Sequence, residues 1–132
     1  MKINSSIGLL IIKVLNYYLP PVLWAGIIFL LSAQSALPTL SASPLDFLFK
    51  KMSHIFVYAV LFLLIHRALT RTHRQITLIP TIWLWTLLFC LLYATGDELH
   101  QSFVPGRFAT LRDIGYDMLG ASLALLYKYR YV

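Results

Sequence analysis

A chain of 132 residues that is 59% hydrophobic and 12% charged cannot fold as an ordinary water-soluble domain, because a core of that size has no room for so much Leu, Ile and Phe. The net charge of +6 would suit nucleic acid, but the cations sit at the ends of apolar runs rather than on one amphipathic face, which excludes that reading. A single cysteine, Cys90, excludes an intrachain disulfide, and its place inside an apolar run marks it as a small packing residue.

These features predict an all-α fold: a small polytopic membrane protein with four transmembrane helices in one bundle. The chain forms one domain over residues 1–132, with spans at about 17–34, 52–68, 76–96 and 111–128. Residues Val14 to Leu45 carry no charge. Pro20-Pro21 suits the first turn of a helix, where two missing N–H groups cost nothing. Residues Ile3 to Leu15 either continue that helix or lie along the interface, with Lys13 reaching the headgroups. Lys2, the following apolar run and Ser32-Ala33-Gln34-Ser35-Ala36 also resemble a signal peptide with a small-residue cleavage site, although Lys13 interrupts the pattern. Ser35 to Pro44 reads as a loop.

The second span lies between Lys51 and Arg67. Sixteen residues give about 24 Å of helix, short for a hydrocarbon core of about 30 Å, so snorkelling lysines and Arg67 or longer neighbours must cover the difference. Lys51, His54 and Tyr58 follow at i, i+3 and i+7 and form one helical stripe descending about 10 Å.

The third span, from Gln75 to Gly96, is uncharged and carries Trp83 and Trp85, with Pro80 tolerable in its first turns. It ends in Asp97, Glu98, His100 and Gln101, where Asp97 and Gln101 are i,i+4. A carboxylate at this position can serve as general acid or base. Val104-Pro105-Gly106-Arg107 is a turn signal that delivers Arg107, the side chain best matched to a carboxylate or phosphate. In the fourth span Asp113, Asp117 and Gly120 are i, i+4 and i+7, and Gly120 with Ala124 forms a small-xxx-small pair. A helix facing Gly120 turns both aspartates into the bundle. Residues Tyr127 to Tyr131 form an interfacial belt.

Four spans put both termini on one side, with Lys2, Lys13, Arg67, Arg71, Arg74, Lys128 and Arg130. Lys50, Lys51, Arg107 and Arg112 lie on the other side. The excess of positive charge places the termini in the cytoplasm and the acids Asp46, Asp97, Glu98, Asp113 and Asp117 outside.

The pattern Lys51-x-x-His54-x-x-x-Tyr58, then Asp97-Glu98-Leu99-His100-Gln101-Ser102-Phe103-Val104-Pro105-Gly106-Arg107, then Asp113-x-x-x-Asp117-x-x-Gly120-Ala121 resembles the VanZ-like family. The earlier Phe29-x-x-Ser32-x-Gln34 is similar as well. The resemblance implies a four-span bacterial membrane protein, related to a type member associated with resistance to the glycopeptide teicoplanin, and it implies no settled reaction. The family usually has Asn where this chain has Asp117, and often Asp where it has Lys50. Asp117 therefore adds a charge that must be protonated or paired.

Three functions compete on these residues. A membrane enzyme would use His54, Asp97, Glu98 and Asp113 as catalytic groups. Lys51, Tyr58, Gln101, Arg107 and Asp117 would then bind a lipid-linked envelope substrate for hydrolysis or group transfer. A non-catalytic envelope protein would use the same cluster to bind membrane lipids, a lipid-linked precursor or an amphiphilic glycopeptide, or to lock the bundle. An ion pathway would need polar residues through the whole bilayer, and the inner halves of spans three and four have almost none. No cofactor is implied. With neither a His-x-x-x-His nor a Glu-x-x-His array, no metal is assigned. The expected location is the bacterial cytoplasmic membrane, and the sequence does not set the oligomeric state.

Overall fold

The computed structural model of the chain describes residues 2–35, 44–72, 79–107 and 109–130. Among them the fold is all-helical: α1 (Lys2–Ser32), α2 (Pro44–Thr72), α3 (Ile79–Gln101) and α4 (Leu111–Arg130). Three helical stretches, Ile7–Ser32, Pro44–Thr72 and Thr81–Gln101, are long and apolar enough to cross a membrane. α4 does not reach that standard, because its mean hydropathy is diluted by Arg112, Asp113 and Asp117 at one end and Lys128 and Arg130 at the other.

Two expectations are corrected. Pro20-Pro21 lies deep inside α1, not in a first turn. The preference of proline for helix starts reflects its missing N–H, but an apolar helix packed against neighbours carries on through such a gap. Residues Ile3 to Leu15 therefore continue the same helix. The second span is also longer than its charges suggested. Pro44 opens α2 as its first residue, a position suited to proline, and the 29 residues give about 43 Å. The uncharged run between Lys51 and Arg67 is unchanged at about 24 Å, so those two side chains still have to reach toward the headgroups. The loop expected over Ser35 to Pro44 lies largely outside the described residues, as do residues 75–78 of the expected third span.

α2 is the central helix. It packs most extensively against α4 and also touches α1 and α3, whereas α1 meets α3 at few points. The core consists of Ile28, Tyr58, Leu61, Phe62, Cys90, Ala94, Ala121 and Ala124. Half of these are Ala or Cys, whose small side chains let helices approach without a hydrophobic driving force in lipid. Gly120 is the extreme case: a Cβ there would stand 2.1 Å from the carbonyl oxygen of Ile55. Only glycine allows α4 to lie this close to α2, as the Gly120–Ala124 pair predicted.

Hydrogen bonds tie α1 to its neighbours at mid-height. The Trp24 indole donates to the Val57 carbonyl at 2.9 Å, and the Tyr93 hydroxyl donates to the Ala25 carbonyl at 2.6 Å. At the end holding the termini, Trp83 meets Tyr129 edge-on at 5.4 Å. The opposite end gathers the end of α1, the start of α2, the end of α3 and the start of α4. The polar residues collect there.

Candidate functional site: a buried polar network at one end of the bundle

The α2 stripe and the start of α4 meet as a ladder. Both helices run in the same direction, so residues spaced by one turn on each come opposite one another in order. Lys51 donates to Asp113, and His54 Nδ1 bonds Asp117 Oδ1 at 2.8 Å. Ile55 then meets Gly120 one turn deeper. Asp117 is 1% exposed, and the charge that the sequence required to be protonated or paired is paired with His54. The Lys51 ammonium also lies 5.4 Å from the rings of both Phe47 and Tyr116. Lys50 forms an i,i+4 pair with Asp46 at 2.8 Å on the same helix.

The end of α3 supplies the second half. Asp97 and Gln101 share a face as their spacing predicted, with Gln101 Nε2 donating to Asp97 Oδ2 at 3.1 Å. Ser32 Oγ, from the last turn of α1, donates to the same oxygen at 2.8 Å. Glu98 accepts the backbone N–H of Thr110, so its carboxylate holds the residue that precedes α4. Asp113 sits in the first turn of α4, where a negative charge is favoured by the helix dipole.

Arg107 goes elsewhere. The turn that carries it forms as expected, with Arg107 N–H donating to Val104 O at 3.1 Å and Gly106 at φ 81°. Pro105 and Gly106 fill the two central positions, and a positive φ at the second favours glycine. The guanidinium donates to the carbonyls of Gln34 at 3.0 Å and Leu31 at 3.1 Å. It caps the C-terminus of α1, whose last carbonyls have no helical partner. His100 lies outside the network as well, its ring tilted by 31° against Phe29 with centroids 4.5 Å apart.

The structure thus brings together Lys51, His54, Tyr58, Asp97, Glu98, Gln101, Asp113 and Asp117. Ser32 and the Thr110 backbone amide are the additional members. Ser32 was marked in the sequence only by the Phe29-x-x-Ser32-x-Gln34 resemblance and the cleavage-like segment, neither of which points to Asp97, and no side-chain signal marks a backbone N–H. Four buried carboxylates face one lysine, Lys51, and one histidine, His54. Asp97 and Glu98 are held by neutral donors instead. Among the described residues no group of three or more His, Cys, Asp or Glu is arranged to hold a metal ion.

Three buried atoms at this end of the bundle have no hydrogen-bond partner: Tyr58 Oη, Asp97 Oδ1 and, beside Phe29, His100 Nδ1. Tyr58 is 1% exposed and Asp97 6%, and the tyrosine hydroxyl lies within electrostatic reach of both Asp97 and Asp117. Leaving a buried polar group unpaired costs on the order of 1–3 kcal/mol. A native fold seldom tolerates that without a reason.

A helical membrane protein with a charged network buried at one end of its bundle is the class these features define. The chain belongs to the VanZ/LLP1 family, whose model matches residues 17–130. Comparisons with curated proteins and with solved structures give no match.

Proposed function

We propose that this protein is a binding protein of the bacterial cytoplasmic membrane, whose polar network receives the hydrogen-bond-donating head of an envelope amphiphile. The candidates are a membrane lipid, a lipid-linked envelope precursor or an amphiphilic glycopeptide. Resistance to a glycopeptide is the association typical of the family. On this reading α4 is a fourth span, because its 20 residues are about 30 Å long and its two aspartates face inward. The termini lie in the cytoplasm and the network at the outer face.

The observation that carries this reading is that two of the unpartnered buried atoms, Tyr58 Oη and Asp97 Oδ1, belong to the network. A carboxylate oxygen only accepts, so its partner must bring an N–H or O–H. The surplus of carboxylates over cations favours the same kind of ligand, an amine or a hydroxyl, over an anion. Lys51 and Arg107, the residues suited to holding an anion, are already engaged with Asp113 and with the carbonyls of Leu31 and Gln34.

The test is headgroup preference. Protein purified in mild detergent from a mixture of phosphatidylethanolamine and phosphatidylcholine should retain the former, because choline carries the same charge but has no N–H. Asp97→Asn and Tyr58→Phe should lessen that preference. Equal retention of the two lipids by the unaltered protein would exclude this reading.

One observation favours a second reading. His54 is oriented through Nδ1 by a buried carboxylate, which directs Nε2 away from Asp117 and is the arrangement of a positioned general base. In a membrane enzyme, Glu98 would be the acid or base partner for hydrolysis or group transfer. Glu98→Gln should then abolish activity while the fold persists. Loss of the folded protein in detergent would assign Glu98 to holding α4.

A further inference from the structure

Directly below the polar network lies a groove of about 420 Å³, lined by α1, α2 and α3. Val22 and Ala25 form one wall, Leu61, Ile65 and Leu69 the second, and Tyr93 with Phe89 the third. The volume falls within the range of sites that hold a small molecule. The tyrosine hydroxyl at its upper end is already donated to the Ala25 carbonyl, so that end of the groove asks nothing polar of an occupant. From Leu61 to Leu69 the groove follows about 12 Å of helix, a substantial part of a hydrocarbon core about 30 Å thick.

Its position decides what fills it. Tyr93 is one turn from Asp97 on α3, and Leu61 is three residues from Tyr58 on α2. The rings of Tyr58 and Tyr93 lie 6.3 Å apart, where the groove ends and the polar network begins. An ordinary lipid-facing surface is lined by one helix or by two neighbours. Here three helices line an open groove, at the side where α1 touches α3 so sparingly. The hydrogen bond of Ser32 to Asp97 closes the α1–α3 gap above the groove.

We infer that this groove is the chain-binding half of the same site: it takes one hydrocarbon chain of a membrane amphiphile and brings that molecule's polar end to Asp97 and Tyr58. The inference rests on the headgroup reading given above. It adds that recognition has two parts, an apolar slot that retains the chain and a buried carboxylate oxygen with a neighbouring hydroxyl that select the head.

The full-length protein in phosphatidylethanolamine vesicles, doped with phosphatidylethanolamine bearing a diazirine within one acyl chain, provides the test. After photolysis, label should be several-fold enriched on peptides containing Val22 and Leu69 over those containing Phe56 and Leu84, two exposed positions outside the groove. Val22→Trp at the 65% exposed lip should reduce that enrichment, and Val22→Trp with Ala25→Phe should remove it. Leu84→Trp should leave it unchanged. Uniform labelling, or undiminished labelling of the filled groove, overturns the inference. A phosphatidylcholine probe with the same diazirine separates the two claims. Groove labelling that is equal for both headgroups supports the chain slot and refutes the head selection. Headgroup preference without groove enrichment refutes the chain slot alone.

Discussion

Replacing Gly120 by alanine places a methyl group 2.1 Å from the Ile55 carbonyl oxygen and 2.8 Å from its carbon, both backbone atoms that cannot rotate aside. Ordinary contact begins near 3.4 Å, so α4 must withdraw from α2 by about 1.3 Å. Overpacking of this kind costs typically 1–3 kcal/mol, and the rigid obstacle puts Gly120→Ala at the upper end. The consequence reaches the site. Asp117 is one turn from Gly120 and His54 is next to Ile55, so the same movement stretches the 2.8 Å His54–Asp117 bond to about 4 Å, beyond hydrogen-bonding range. Thermal unfolding in detergent, followed by tryptophan fluorescence, should show a lower midpoint. Phosphatidylethanolamine preference should fall in the protein that remains folded. An unchanged midpoint together with unchanged lipid preference would refute the claim that the Gly120 contact sets the geometry of the ladder.

Other substitutions separate the roles of individual residues. His54→Ala leaves the 1% exposed Asp117 without its partner and should destabilise the fold by about 1–3 kcal/mol. Adding Asp117→Asn removes the stranded charge, so the double variant should unfold later than His54→Ala alone in the same thermal assay. Arg107→Ala should cost about 1 kcal/mol and speed hydrogen exchange over residues 31–35, because the carbonyls of Leu31 and Gln34 lose the guanidinium. Headgroup preference should persist in that variant; its loss would return Arg107 to the site. Ser41→Cys should react with an impermeant thiol reagent on intact cells, with little background from the fully buried Cys90. Absence of labelling would reverse the proposed orientation.

Much of the network was legible because helical spacing carries over directly into neighbours. The i, i+3, i+7 stripe on α2 and the i, i+4, i+7 stripe on α4 needed only a close helix contact to meet, and Gly120 marks that contact. Asp97 and Gln101 joined through their i,i+4 spacing alone. Arg107 was misleading for a physical reason. Its charge invites pairing with the carboxylates, but spacing along α3 and α4 does not disclose that the unpaired carbonyls of α1 end beside it. Ser32 was quiet because a small hydroxyl in an apolar run carries no periodic signal, and its importance comes from where α1 stops. Pro20-Pro21 misled because its rule describes the ends of helices in water, whereas α1 runs on through an apolar setting. The groove was not legible at all. It is a gap between three helices whose lining residues look like any others in a membrane span.

The central claim is that Tyr58 and Asp97 are arranged for a ligand's polar head. An experimental structure of the protein in phosphatidylethanolamine nanodiscs would test it most directly. The account predicts lipid density with a headgroup within hydrogen-bonding distance of Tyr58 Oη and Asp97 Oδ1 and a chain running past Leu61 toward Leu69. A Tyr58 hydroxyl bonded directly to Asp97 with no lipid between the helices would contradict it.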